Sequence, residues 1–239
     1  MAELTGEAKQ RYVSGMFTRI ASRYDLMNNL MTGGLHLKWK QQTARLTAAG
    51  LTGRALDVAT GTGDLALALA RCPGIGHAVG VDLLPRMITL AQAKARAKNL
   101  DGNTTLMVAD AHALPFPDDS FACATAGFSL RNMSDLGQAL AEMVRVVRPG
   151  GRVSTLELTP MPPGRKATLL RIYFQRLVPL LGQVVAGDRA AYTYLPQSVD
   201  YFLEADRLAG LFRDLGLVNV AYQKLGFGAV TLHWGAKQA

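Results

Sequence analysis

The sequence predicts an α/β protein: a doubly wound, mostly parallel seven-stranded sheet with an antiparallel C-terminal hairpin strand, N-terminal helices and a helical insert after strand 5. Three observations carry the prediction. From Ala55 to Leu158, short apolar runs alternate with Ala/Leu-rich stretches of helical character. One junction, Leu56-Asp57-Val58-Ala59-Thr60-Gly61-Thr62-Gly63-Asp64, reads as a strand entering a glycine turn with a helix behind it. Near the C-terminus, Leu217–Lys224 and Ala229–Trp234 read as strands, and the short connection between them makes a hairpin.

Taken in order, residues 7–24 suit an amphipathic helix, with Tyr12, Met16, Ile20 and Tyr24 at i+4 spacing. Gly33-Gly34 then divides Tyr24–Lys40 into two short helices. Strand 1 covers about 55–59, and the helix after it runs from Leu65 to Arg71. Strand 2, 77–82, ends in Asp82; Pro85 opens the next helix, which reaches Lys98. Strand 3, 104–109, is followed by Asp110, and a Pro-rich loop, 114–119, leads to strand 4 at 121–128. Ser134 or Asp135 caps a helix ending near Arg148, and Pro149-Gly150-Gly151 turns the chain into strand 5, 152–158. Beyond Pro160, Pro162 and Pro163, a helix is expected over 166–185, with Pro179 inside it, and then a loop over 187–196. Asp206–Leu215 is a helix closed by Gly216.

Composition narrows the class. A chain of 239 residues with 49% hydrophobic content can bury one sizeable core. No apolar run is long enough to span a bilayer and no signal-peptide core opens the chain, which points to a cytoplasmic protein. Cys72 and Cys123 read as free core thiols, as in a reducing compartment. The histidines are scattered and no Cys/His cluster has metal spacing, so no metal is expected. The net charge of +8 suits an acidic partner, either nucleic acid or an anionic membrane surface. No basic run interleaved with aromatics supports nucleic acid.

The glycine turn lacks the third glycine of the dinucleotide fingerprint, which argues against an NAD(P) oxidoreductase. Asp57 and Asp64 bracket it instead. Two carboxylates repel pyrophosphate but suit a ligand with positive charge, such as S-adenosylmethionine with its sulfonium and ammonium groups. Asp82 stands at the end of strand 2, about twenty residues after Gly63, where an acid can hold a ribose diol. A helix N-cap is its bland alternative. Asp110-Ala111 ends strand 3, where a carboxylate and an amide could read an adenine edge; an Asx-turn is the alternative. Gly127 and Phe128 end strand 4. These ligands fall at successive strand ends along one edge.

This set resembles the class I S-adenosylmethionine-dependent methyltransferases. A narrower resemblance covers nearly the whole chain. Tyr24-Asp25-Leu26-Met27-Asn28 with Gly34, His36 and Trp39-Lys40 is similar to the N-terminal signature of the quinone C-methyltransferases of menaquinone and ubiquinone synthesis. Leu130-Arg131-Asn132 with Asp135 resembles their second signature, and Asp188, Tyr192, Tyr194-Leu195 and Ser198 resemble their cover loop. The resemblance implies S-adenosylmethionine contacts at Thr62, Asp82, Asp110-Ala111 and Gly127, alongside Asp57, Gly61 and Gly63 in the turn. Gly127 stands where the family often has serine, and Ser129 replaces the usual glycine before Leu130-Arg131.

By the same resemblance the reaction is methylation of a ring carbon of a polyprenylated quinol, with naphthoquinol favoured over benzoquinol. Another small-molecule methyltransferase is the alternative. Carbon becomes nucleophilic only when the neighbouring hydroxyl loses its proton, so a phenolate must be stabilised. Arg131 is the candidate for that charge, with a structural pair to Asp135 or Glu157 as the competing reading. Tyr24, Asp25 and His36 are candidates for accepting the proton, and Asn132 lies beside them in sequence. The chain divides as one domain: a helical cap (1–49), a cofactor-binding core (50–158), a helical substrate cover (159–203) and a C-terminal helix with hairpin (204–239). Lys166, Arg171 and Arg176 among Leu169, Leu170, Ile172, Leu177 and Leu180 suggest peripheral contact with a membrane surface. Oligomeric state is left open, a homodimer included.

Overall fold

The computed structural model describes residues 4–161, 164, 168 and 172–239. Lys166, Leu169, Leu170 and Arg171 of the expected basic helix, and Pro162-Pro163 before it, lie outside the described residues.

Seven strands form one sheet: β1 Gly53–Val58, β2 Ile75–Asp82, β3 Thr104–Val108, β4 Phe121–Gly127, β5 Val147–Leu158, β6 Leu217–Leu225 and β7 Val230–Lys237. Their order is β3-β2-β1-β4-β5-β7-β6. The first five are parallel, and β7 inserts antiparallel between β5 and β6. The central strands are buried on both faces, which is why they read as continuous apolar runs. The order reverses between β1 and β4, and ligands of open parallel sheets bind outside the carboxyl ends at such a switch point.

Helices cover both faces. On one side lie α3 Leu35–Ala48, α4 Asp64–Leu69 and α5 Pro85–Ala97. Their small apolar residues, such as Ala44, Ala48, Ala91 and Ala95, let them pack closely on the sheet. On the other, α6 Leu136–Val146 and α9 Ala205–Asp214 bury Leu140, Met143, Leu208 and Phe212 against β1, β4 and β5. A separate cluster, Met16, Ile20, Met27, Val178, Ala191, Tyr192 and Tyr194, builds a helical cover. It joins α1 Gly6–Ile20 and α2 Tyr24–Thr32 to α7 Val178–Leu181 and α8 Arg189–Asp200.

Several boundaries differ from the sequence reading. The expected helix over 7–24 breaks at a 3₁₀ turn, Ala21–Arg23, so Tyr24 begins a new helix. The helix over 173–186 is π-helical on either side of α7, around Pro179, whose missing N–H removes a regular helical hydrogen bond. The segment read as a loop over 187–196 is mostly α8. Asp188 caps it by accepting from the Ala191 amide at 3.0 Å, and Pro196 is tolerated inside. Of the two candidate caps of α6, Asp135 holds the position and accepts from the Gln138 amide at 2.9 Å.

Candidate active site

Two cavities meet beyond the carboxyl ends of the parallel strands. The first, about 130 Å³, is lined by Gly61, Asp82, Asp110, Ala111 and Gly127, which stand at the ends of four neighbouring strands or in the turns after them. The sequence-predicted cofactor residues thus converge at five of eight positions. The second cavity, about 220 Å³, lies under the helical cover and is mainly apolar: Met16, Ile20, Met31, Trp39, Leu158 and Phe174 contribute, with Tyr24, His36, Arg131 and Asn132. Phe17, Tyr24, Phe128 and Asn132 line both, so these four side chains form the junction.

In the first cavity Asp82 accepts the Gly61 amide through one oxygen (2.8 Å) and the Leu84 amide through the other (2.9 Å). Burial pushes its carboxyl up, against the pull of those two amides. Each oxygen keeps a second acceptor site, as a vicinal diol needs. The N-cap alternative is not what is seen: Leu84 holds the cap position of α5 without a side-chain cap, and Asp82 makes a turn to the Leu84 amide that leaves room for a ligand. Asp110 likewise makes the Asx-turn to the His112 amide (2.9 Å) while lining the cavity. Apolar Leu83, Met87, Ala109 and Met133 flank the space between the two acids' strands. Acids for a diol and an amine beside apolar walls fit an adenosine group.

Three predicted cofactor residues sit elsewhere. Asp57 is buried under the turn, accepting from Thr60 (2.5 Å), Thr125 (2.8 Å) and the Ala66 amide (3.1 Å). Desolvation raises it to about 6, and its hydrogen bonds limit the rise. Its role is to tie β1, β4 and α4 together. Thr62 is also buried, and its hydroxyl donates to Asp25 (2.6 Å) and accepts from Lys94 (2.9 Å). Gly63 is needed for packing: it has φ +85°, and a Cβ there would lie 3.0 Å from Ala91 Cβ. Glycine at 127 has a similar cause, since a Cβ would meet Leu65 Cδ2 at 3.2 Å. The hydroxyl absent at Gly127 is available nearby, because Ser129 lines the same cavity with a buried, unpartnered Oγ.

Asp25 does not face either cavity. It joins Lys94 (2.7 Å), which also pairs with Asp64 (2.7 Å), and Lys40 pairs with Asp64 at 3.0 Å. Burial pushes the Asp64 carboxyl up, but the Lys40 and Lys94 charges outweigh it and hold the group far below the usual range. This chain of charges fastens the N-terminal cap to the glycine turn. Asp25, expected as a proton acceptor, is thus placed outside the lining of both cavities, with its oxygens accepting from Thr62 and Lys94.

Arg131 is not a free cation. Its Nη1 donates to the fully buried Glu157, in a very short contact, and to the Phe128 carbonyl at 2.9 Å. The pairing with Glu157 is therefore the observed one, and Asp135 is occupied in capping α6. Arg131 Nε remains buried without a partner. So do His36 Nδ1, Asn132 Oδ1, Tyr192 Oη and Tyr194 Oη, all on residues lining the apolar cavity. His36 Nε2 lies 3.0 Å from Asn29 Oδ1, an arrangement that places the proton on Nε2 and leaves Nδ1 as an acceptor. Burial first, then the Lys40 charge, lowers its pKa to about 4, so the ring is neutral at pH 7.

Backbone strain gathers here as well. Ala59, Phe128 and Phe227 have φ of +52°, +59° and +59°, and each lines a cavity. Non-glycine residues held there cost of order 1–3 kcal/mol and cluster at functional sites. The sequence reading places Phe128 at the end of strand 4 but gives no sign of its strain, and it does not reach Phe227 or Ser14, Phe17 and Gln10 of α1, the last three of which line the first cavity from far away in the chain.

The mixed sheet with its inserted β7 and an acid-lined cavity at the switch point are those of a methyltransferase of the S-adenosylmethionine-dependent class. The fold is similar to a SAM-dependent methyltransferase, possible histamine N-methyltransferase, from Thermotoga maritima (TM-score 0.65, 20% identity, covering 95% of this chain and 100% of that one). The chain belongs to the ubiE/COQ5 methyltransferase family, whose model matches residues 5–237. It is 45% identical over 238 residues to a demethylmenaquinone methyltransferase of Roseiflexus castenholzii, covering 97% of this chain and 96% of the relative. A demethylmenaquinone methyltransferase of Thermus thermophilus is 43% identical over 221 residues (92% and 99%). A ubiquinone/menaquinone biosynthesis C-methyltransferase UbiE of Dinoroseobacter shibae is 40% identical over 229 residues (96% and 92%).

Proposed function

We propose that this protein transfers the methyl group of S-adenosylmethionine to a ring carbon of a reduced demethylmenaquinone. The observation that carries the reading is the set of unpartnered polar atoms in the apolar cavity. A buried polar group without a partner costs about 1–3 kcal/mol. A quinol, apolar in its ring and bearing two hydroxyls, would satisfy several at once. The relatives from Roseiflexus and Thermus bear the matching name.

The bound cofactor supplies an electrophilic methyl group on sulfonium. His36 Nδ1, neutral and oriented by Asn29, can accept a hydrogen bond from one quinol hydroxyl. Arg131 Nε can donate to the resulting phenolate oxygen, its charge already balanced by Glu157. Tyr24 and Asn132, lining both cavities, would hold the ring carbon at the junction. Asp82, Asp110 and the Gly61 turn would hold the nucleoside. The name of the Dinoroseobacter relative covers ubiquinone as well as menaquinone biosynthesis, which makes a benzoquinol the second reading.

The test supplies methyl-labelled cofactor with reduced demethylmenaquinone and a benzoquinol precursor in parallel. Label is expected in the naphthoquinol, at a ring carbon. Label in neither quinol overturns the reading; label in the benzoquinol alone replaces it with the second.

A water-insoluble substrate has to be collected from a bilayer. Among the described residues no helix is long and apolar enough to cross one. Ile172, Leu177, Leu180 and Val184 are exposed, Arg176 beside them, on a chain of net charge +8. Peripheral binding to anionic lipid fits this surface. Vesicle sedimentation is expected to show salt-sensitive binding; equal recovery in the supernatant with and without vesicles overturns it.

A further inference from the structure

We infer that a third, smaller cavity is the subsite for the first part of the quinol's apolar side chain, and that this chain leaves the ring cavity between β5 and α8. The inference rests on the quinol reading above.

The cavity, about 90 Å³, lies beside the ring cavity and shares four lining residues with it: Leu158, Phe174, Leu195 and Ala229. These four residues line both spaces. Beyond them the lining continues through Pro160, Met161, Pro196 and Val199. The hydroxyl of Thr159 is paired with that of Thr231 at 2.6 Å. Gln175 and Asp200, both exposed, bring polar groups to the rim. A passage that is apolar inside and polar at its mouth accepts a linear hydrocarbon, not a headgroup or a second ring. Ile172 and Leu177, on either side of Phe174 in sequence, are exposed, so an emerging chain passes close to apolar surface.

The other direction is less suited. Toward the cofactor the ring cavity ends at Phe17, Tyr24, Phe128 and Asn132. A third exit runs by Phe227, which is 80% exposed, so a chain leaving there meets solvent at once.

The experiment compares quinols with the same ring and no chain, one unit or several units of chain, on the whole protein. Both KM and quenching of Trp39 fluorescence by the oxidised quinone are read, since Trp39 lines the ring cavity. KM is expected to fall with the first unit of chain by about tenfold, as for roughly two buried methylenes, then to level off. Val199→Trp, which fills the third cavity, should abolish that gain and leave turnover of the chainless ring and S-adenosylhomocysteine binding unchanged. Should Val199→Trp misfold, Val199→Leu and the wild-type series still decide. Equal KM for all chain lengths overturns the subsite. So does a Phe227→Ser variant that removes the gain while Val199→Trp keeps it. Failure to methylate even the chainless ring overturns the quinol reading instead.

Discussion

His112 holds Asp110: its Nδ1 lies 2.6 Å from Asp110 Oδ1, while its Nε2 faces the Asp135 amide at 3.2 Å. A backbone amide can only donate, so Nε2 accepts and the proton sits on Nδ1. Asp110 Oδ1 is thereby committed to the His112 ring and amide. Oδ2 keeps only a long contact with Gln10, at 3.3 Å, and is the oxygen left for an adenine amine. His112→Phe should weaken S-adenosylhomocysteine binding about ten-fold, the loss of one hydrogen bond to a charged group. Binding of the inosine analogue, which lacks the amine, should be little changed. Calorimetric titration of both ligands checks this, and equal losses for the two would show His112 to be merely packing.

Asp82→Ala should weaken S-adenosylmethionine binding by roughly ten- to hundredfold, because a buried charged acceptor is worth about 1.5–3 kcal/mol. The variant also strips the Gly61 and Leu84 amides of their acceptor. Asp82→Asn separates the effects, since it keeps one carbonyl acceptor. An unchanged Kd in a folded Asp82→Ala protein would sink the ribose assignment.

The same strand-end logic made much of the core legible. A buried strand, a glycine turn and acids at successive strand ends are local patterns, and topology alone brings them together. Thr62, Asp57 and Asp25 show the limit. Each stands where a ligand contact is expected by position, yet long-range partners claim their side chains: Lys94, Thr125 and α5's charge network come from distant sequence. Gly63 is spaced like a ligand-facing glycine but is required by Ala91. The helix after Asp188 was hidden by Pro196, although its cap and i+3 amide form a readable start.

Thr62 therefore predicts a stability effect more than a binding effect. Thr62→Val keeps shape but leaves Asp25 and Lys94 each short of one partner. A loss of about 1–3 kcal/mol is expected, or roughly 2–4 °C of Tm per kcal/mol at this chain length. Thermal unfolding with and without S-adenosylhomocysteine reads it. An unchanged Tm with abolished binding would return Thr62 to the cofactor site.

Stability should also depend on pH through His36 and His233. Burial lowers both to about 4. In the unfolded chain they titrate near 6.5. The folded state thus resists a proton that the unfolded state takes, so their contribution is full above pH 6.5 and is lost as pH falls toward 4. Asp57, raised to about 6 mainly by burial, opposes this by gaining its proton more readily when folded. His233→Gln keeps a donor for the Ala205 carbonyl but does not titrate. Its Tm should fall less than the wild type's between pH 7 and 5. Parallel curves would show that His233 does not couple to folding.

Arg131 and Glu157 must be tested together. Arg131→Ala leaves Glu157 buried and unpaired, and breaking a buried pair costs about 3–5 kcal/mol. Lost activity in that variant alone cannot separate chemistry from unfolding. Arg131→Met with Glu157→Leu replaces both charges with apolar groups of similar size, a change that is often neutral or stabilising. The double variant should regain most of the stability lost in Arg131→Ala and bind S-adenosylhomocysteine nearly as the wild type does. If Nε steadies the phenolate, kcat on a reduced quinol should still be about 100–1,000-fold down, as for the loss of one such donor. Arg131→Lys with Glu157 intact keeps the charge balance but loses the fork, so partial activity is expected. A double variant with restored stability and near-normal kcat would make Arg131 a structural partner of Glu157 and leave His36 as the leading residue for the chemistry.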